Sequence, residues 1–326
     1  MRDPKWTQFW SGTPGALDWC HTGIAVLDSG GLAFGAAESG VLMIIDGAEM
    51  GWRRIVTPLV ELHGITAVGD ELWVADPGVK PDPSRNYEWI ESPGRAVRLG
   101  LDGAVMDELT DPFTEGLSSS PWRPTAIAVV RTGPLAGSIW VADGYGANLL
   151  HVFTPDGKLR RTVDGSATGA PFSCPHGIVI ADTDGDQILI VADRRNRRLV
   201  RLTPEGELID VIEGEPLRSP SCLASRDGRV VLTELDGAVL EIRADGTVAT
   251  VVDRGNRSEN DEGWPDRAGW PNIDIGGGLR RPALIAGVLN SPHGVAIGLS
   301  GEIYLTEWVI GGNFIVIPAL SSPGNK

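Results

Sequence analysis

Cys174-Pro175-His176-Gly177-Ile178-Val179-Ile180, followed by Ile188-Leu189-Ile190-Val191-Ala192-Asp193-Arg194, is a phrase that the chain repeats. It spells a Pro-His-Gly turn, a short aliphatic strand, an acidic turn, a second strand and an Asp-Arg at that strand's end. Ser291-Pro292-His293-Gly294-Val295 precedes Ile303-Tyr304-Leu305-Thr306-Glu307 in the same way, and Leu62-His63-Gly64-Ile65 precedes Leu72-Trp73-Val74-Ala75-Asp76. Three of only five histidines stand at one position of one repeat.

Aligned on that position, the chain holds six copies, keyed on Thr22, His63, Thr125, His176, Ser221 and His293, with spacings of 41, 62, 51, 45 and 72 residues. Each copy has three clear strands and room for a fourth, joined by Asp-Gly or Glu-Gly hairpin turns such as Pro155-Asp156-Gly157 and Pro204-Glu205-Gly206. Apolar runs are four to six residues long and rich in Val and Ile, and no helical periodicity is sustained. Four short strands per repeat of forty-odd residues is the period of a propeller blade. The expectation is an all-β, six-bladed β-propeller of four-stranded blades, forming a single domain over residues 1–326. Two inserts interrupt the spacing, at about 77–96 (with Tyr87 and Trp89) and 253–290 (with Trp264, Trp270 and Gly276-Gly277-Gly278). Long loops on a rigid repeat scaffold tend to sit on its working face, and their tryptophans read as a lid or pocket wall.

The balance of 28 Lys and Arg against 43 Asp and Glu gives a formal net charge of −15. Such a surface repels phosphate backbones and anionic lipid, which argues against nucleic acid and membrane partners. The opening Met1-Arg2-Asp3-Pro4-Lys5-Trp6 lacks the apolar segment expected of a secretory signal, and no run approaches membrane-spanning length. Three cysteines, Cys20, Cys174 and Cys222, are an odd number, which argues against a disulfide framework and for a reducing cytoplasmic setting.

In a propeller the innermost strand of every blade lines the central channel, so equivalent positions in alternate blades lie about 120° apart at one height. Across the copies the key position alternates hydroxyl and imidazole. His63, His176 and His293 would then converge as a facial tri-histidine site with an open outer position, the arrangement of a catalytic zinc. Iron, copper or nickel would suit the same ligands. A lone buried histidine is more often a satisfied core residue, but packing alone does not explain three at one repeat position. The intervening hydroxyls are small enough to hold a water. His21, one residue off the register, and His151, in an outer strand, are expected to be structural, and the cysteines to stay outside the metal shell. Tyr145 ends a strand facing the channel; near a cation a phenol can lose its proton below its usual pKa of about 10 and act as a general base. Arg194 is placed to bind a substrate carboxylate or carbonyl, or to pair with Asp193. Asp76, Asp143, Asp193, Glu234 and Glu307 end the second strands of their copies and read as turn or inter-blade hydrogen-bond partners.

The Pro-His-Gly and Ala192-Asp193-Arg194 phrases, with Asp143-Gly144-Tyr145 ahead of them, resemble the peptidyl-α-hydroxyglycine α-amidating lyases among the NHL-repeat propellers, most closely over about residues 121–208. That resemblance implies zinc on His63, His176 and His293, Tyr145 acting on the substrate hydroxyl, and Arg194 contributing to the site. Two positions depart from the family pattern. Thr22 stands where the family has an arginine that helps hold substrate, and Gly294 where it has an aspartate that helps bind a structural calcium. The turn Asp182-Thr183-Asp184-Gly185-Asp186 lacks the bidentate glutamate of a calcium loop.

The expected activity is therefore metal-dependent lyase cleavage of a carbinolamide-type or α-hydroxy-substituted small molecule or short peptide-like substrate, giving a carbonyl product. No organic cofactor is implied, because no phosphate-cradling glycine loop is evident. A metal-dependent hydrolase of a lactone, ester or amide is the close alternative. A non-catalytic propeller that binds a protein or ligand is the alternative from another class.

Overall fold

The computed structural model describes residues 6–10, 19, 21–46, 51–113, 121–183, 185–255, 279 and 281–319. They form six four-stranded antiparallel sheets and one small hairpin. The first five sheets run in chain order from the axis outward. They begin with Ile24–Val26, Gly64–Val68, Ala126–Val129, Pro175–Thr183 and Pro220–Arg226, and end with Trp52–Val56, Val105–Glu108, Leu159–Val163, Leu208–Glu213 and Val248–Val252. The sixth starts with Pro292–Ile297, Ile303–Glu307 and Phe314–Ile317, and its outermost strand is Thr7–Trp10 from the other end of the chain. The six innermost strands touch one another in sequence, and Pro292–Ile297 returns to Ile24–Val26, so the ring closes. This is the six-bladed β-propeller expected from the repeats. The closing strand was not anticipated, because Thr7–Trp10 belongs to no copy of the repeat.

Burial explains why the blades stack. Second strands such as Ile139–Asp143 and Glu71–Asp76 are packed on both faces, which is why they read as unbroken apolar runs rather than alternating ones. Six apolar clusters fill the wedges between neighbouring blades; one joins Trp140, Leu150 and Val152 of the third blade to Ile178, Leu189 and Val200 of the fourth. Outer strands such as Leu159–Val163 are largely exposed and carry arginines, which discourages edge-to-edge pairing. The outer hairpins turn at Gly157, Gly206 and Gly246, each at positive φ. Among the described residues no helix is long and apolar enough to cross a membrane.

The strand-end carboxylates set the height of the innermost strands. Asp76 accepts from the backbone N–H groups of Val60 and Glu61, Asp143 from Arg123, Asp193 from Ser173, Glu234 from Arg218 and Ser219, and Glu307 from Asn290. Each acceptor pins the segment that leads into its own blade, two or three residues ahead of the repeated position. The insert at 77–96 contains the hairpin Val79–Asp82 and Glu88–Glu91. Most of the second insert, including Trp264, Trp270 and Gly276-Gly277-Gly278, lies outside the described residues, as does Cys20.

Candidate metal centre

Thr22, His63, Thr125, His176, Ser221 and His293 are all buried where the six innermost strands begin. The glycine after each histidine has a steric cause. A Cβ on Gly64 would lie 2.5 Å from the Thr125 carbonyl oxygen, one on Gly177 2.3 Å from that of Ser221, and one on Gly294 2.5 Å from that of Thr22. Neighbouring blades approach backbone to backbone at this level, and only glycine leaves room.

That approach orients the imidazoles. His63 Nδ1 donates to Thr125 O at 2.7 Å, His176 Nδ1 to Ser221 O at 3.2 Å and His293 Nδ1 to Thr22 O at 3.3 Å. Each ring thus gives its hydrogen to the carbonyl at the repeated position of the following blade. With the proton held at Nδ1, the Nε2 lone pair is left facing the axis. Two of the hydroxyls between them are committed to backbone: Thr22 Oγ1 donates to Leu62 O at 2.8 Å and Thr125 Oγ1 to Pro175 O at 3.0 Å, so both tie blades together. Ser221 Oγ lies 3.3 Å from His176 Nδ1.

His21 joins the cluster, contrary to the structural role expected of it. The imidazole nitrogens of His21, His63, His176 and His293 offer one ligand atom each, all within 4.8 Å of one another. His21 Nδ1 lies 2.9 Å from Glu61 Oε1, and its ring centroid lies 4.6 Å from that of His63 and 4.5 Å from that of His293. Burial lowers all four: His21 and His63 fall to about 3, His176 and His293 well below 6.5. Four neutral imidazoles therefore converge, and the group could hold a metal ion.

Tyr145 stands over this point. Its Oη lies 3.0 Å from His176 Nε2, 3.2 Å from His21 Nε2 and 3.3 Å from His63 Nε2. One phenolic hydrogen serves three acceptors, while His293 Nε2 is buried with no partner. Burial pushes the phenol above its ordinary pKa, and the Arg194 guanidinium works against that rise. Arg194 stacks on the Tyr145 ring, 5.6 Å from its centroid, and its Nη2 reaches Cys174 Sγ at 3.2 Å. The carboxylate of Asp193 bonds instead to Arg198 Nε at 2.8 Å. Cys222 Sγ is 3.9 Å from the Nδ1 atoms of His176 and His293, on the side of those rings away from Nε2. His151 packs against Phe113 and Trp122 and bonds to Thr162, away from the site.

A cavity of about 360 Å³ opens on the same side. His21, Tyr145 and Glu61 face it, with Trp19 and Trp308 beside them and Val79, Pro81 and Trp89 contributed by the insert hairpin. Below the histidines the channel is lined by Ile24, Ile65, Ile127, Ile178, Leu223 and Val295, two residues past the repeated position in each blade. This aliphatic floor separates the cluster from the far mouth of the channel.

Solved structures share this ring. A streptogramin B lyase matches with a TM-score of 0.59 at 16% identity, over 96% of this chain and 96% of that one. Virginiamycin B lyase from Staphylococcus aureus matches at 0.56 and 16% identity, over 97% of this chain and 99% of its own. A luciferin-regenerating enzyme matches at 0.56 and 11%, over 98% and 96%. Identities this low establish a shared β-propeller fold and carry no chemistry by themselves. No protein-family model matches the chain, and no curated protein does. The narrower likeness to amidating lyases rests on the motif residues alone.

Two residues beside the cluster, His21 and Glu61, do not stand at the repeated position. His21 lies one residue off it, which is why it reads as structural in the sequence. It stands before the strand Ile24–Val26, in irregular backbone. Glu61 sits two residues ahead of His63, as Arg123 does ahead of Thr125, and both line the cavity. That second tier of the repeat identifies Glu61 and Arg123.

Proposed function

We propose that the chain is a metal-dependent lyase that splits a small carbinolamide-type or α-hydroxy-substituted molecule into a carbonyl product and a leaving group. Zinc is the preferred metal, on His63, His176 and His293 with His21 as a fourth donor. One observation carries the proposal: four imidazoles, three of them buried and His21 partly so, spend their Nδ1 atoms on fixed acceptors and aim their Nε2 lone pairs at one place. A buried polar atom without a partner costs about 1–3 kcal/mol, and a cation among these four removes that cost. Neutral imidazoles suit zinc, and also iron, copper or nickel. The bound ion would supply Lewis-acid polarisation of a hydroxyl or carbonyl oxygen.

The chain's own residues handle the proton. Tyr145 Oη borders both the cluster and the cavity, so its phenol passes its own hydrogen to the leaving nitrogen and receives the substrate's hydroxyl hydrogen in exchange as the C–N bond breaks. The carbinolamide R–CO–NH–CH(OH)–R′ then becomes R–CO–NH₂ and O=CH–R′, with every atom accounted for. Arg194 on the ring face favours the phenolate during that exchange. Tryptophan and proline walls make the cavity lining mainly apolar, which favours elimination over hydrolysis. A hydrolase would draw on the His21–Glu61 pair beside the cavity to activate water, and its products would contain that water.

Elemental analysis of the purified wild type and of His176→Ala tests the reading. One transition metal per chain, lost in the variant, supports it. A wild type that carries none and takes up no added zinc refutes it.

A further inference from the structure

Building on the lyase reading above, we infer that the substrate is a neutral, ring-bearing carbinol whose apolar end packs against Trp19, Trp89 and Trp308, and that a free carboxylate is selected against.

The cavity is at the small end of ligand pockets, which run from about 300 to 1,000 Å³. Its walls are mainly tryptophan, proline and aliphatic side chains. Trp89 is the informative one. It is 60% exposed although burying it would be favourable, and it sits on a hairpin that the repeat does not require. Pro81, its partner across that hairpin, lines the same cavity. An exposed indole held at a cavity wall is suited to stack on a flat, apolar group of a ligand.

Charge points the same way. Among the described residues that line the cavity, Arg123 is the one lysine or arginine. Its guanidinium already serves Pro77 O at 2.6 Å, the carbonyl of Ser92, and Glu91 Oε1 at 2.8 Å. Glu61 and Glu91 add two carboxyl groups to the lining. Thr22, where a gripping arginine could have stood, is buried and bonded to Leu62 O and Gly35 N. Within this lining a substrate carboxylate meets two carboxyl groups and one arginine that is already shared, so it gains less there than a neutral group does.

The test uses two probes that differ only in the acid group, N-(hydroxymethyl)benzamide and N-benzoyl-2-hydroxyglycine, titrated calorimetrically into metal-stripped full-length protein. The neutral probe should bind at least tenfold more tightly. Trp89→Ala should weaken its binding fivefold or more, and Glu91→Gln should narrow the gap between the probes. Equal or tighter binding of the acid, no response to Trp89→Ala, or binding of neither probe overturns the inference. Turnover separates it from the lyase reading. If zinc-loaded protein binds the neutral probe selectively yet releases no benzamide and formaldehyde, the lyase reading fails and the substrate class stands. If it cleaves both probes with equal kcat/KM, the lyase reading stands and the substrate class fails.

Discussion

His63 donates its Nδ1 hydrogen to the carbonyl oxygen of Thr125, 2.7 Å away at the equivalent position of the next blade. The bond does two jobs. It ties the second blade to the third at the channel wall, and it leaves Nε2 of His63 as an acceptor facing Tyr145 Oη beside three others. Fold and site thus share one contact, so perturbing the backbone approach should disturb both.

Gly64→Ala is the direct perturbation. Its Cβ would meet Thr125 O at 2.5 Å and the Cα of Ala126 at 2.9 Å, and both are backbone atoms that cannot swing aside. Overpacking of this kind costs about 1–3 kcal/mol. Urea denaturation should show a loss in that range, and zinc affinity should fall with it because His63 is displaced. Wild-type stability with wild-type zinc affinity would show that the inter-blade contact does not orient the ring.

Glu61→Gln addresses the donor that the repeat did not announce. Glutamine can still accept from His21 Nδ1, but it brings no negative charge to the ring. Replacing such an outer partner of a metal-bound histidine lowers metal affinity about 10–100-fold. A competition titration with a chromogenic zinc chelator measures it. Unchanged affinity would take His21 out of the metal shell.

Tyr145→Phe removes one oxygen and keeps the ring under Arg194. The variant should fold, and it should retain its metal because the imidazoles remain. Turnover of a carbinolamide should fall about 10²–10⁴-fold, the usual contribution of a positioned acid–base group. A variant with full metal and undiminished kcat would assign the proton transfer elsewhere.

The ring of blades was legible because a propeller repeats one local pattern: the aliphatic doublets, the Asp-Gly turns and the glycine after each histidine all recur at one register. His63, His176 and His293 could be placed together for the same reason, since symmetry converts equal sequence position into equal height on an axis. What breaks the symmetry could not be read. Thr7–Trp10 closes the last blade through pairing with Phe314–Ile317, a contact between chain ends that no repeat encodes. His21 reaches the cluster from irregular backbone, where period-two reasoning does not hold. The alternation of hydroxyl and imidazole was visible, but its cause lies in main-chain carbonyls, which sequence does not distinguish.

Glu234 offers a pH test remote from the metal site. Its Oε2 accepts from the backbone of Arg218 at 3.0 Å and of Ser219 at 2.5 Å, while Oε1 is buried with no partner. Burial pushes this carboxyl up to about 8, with Asp236 adding to the rise. A raised folded-state pKa means that the neutral form is the one the fold favours. Its stabilisation is fully present below the unfolded value of 4.5 and is lost as pH rises through about 8. Glu234→Gln has the same shape, can keep both backbone bonds and never ionises. The variant should therefore gain on the wild type by roughly 4–5 kcal/mol between pH 4 and pH 9, all other titrations cancelling in the difference. Urea denaturation of both proteins across that range gives the number directly. Two parallel curves would mean that the folded protein holds Glu234 as readily charged as the unfolded chain does.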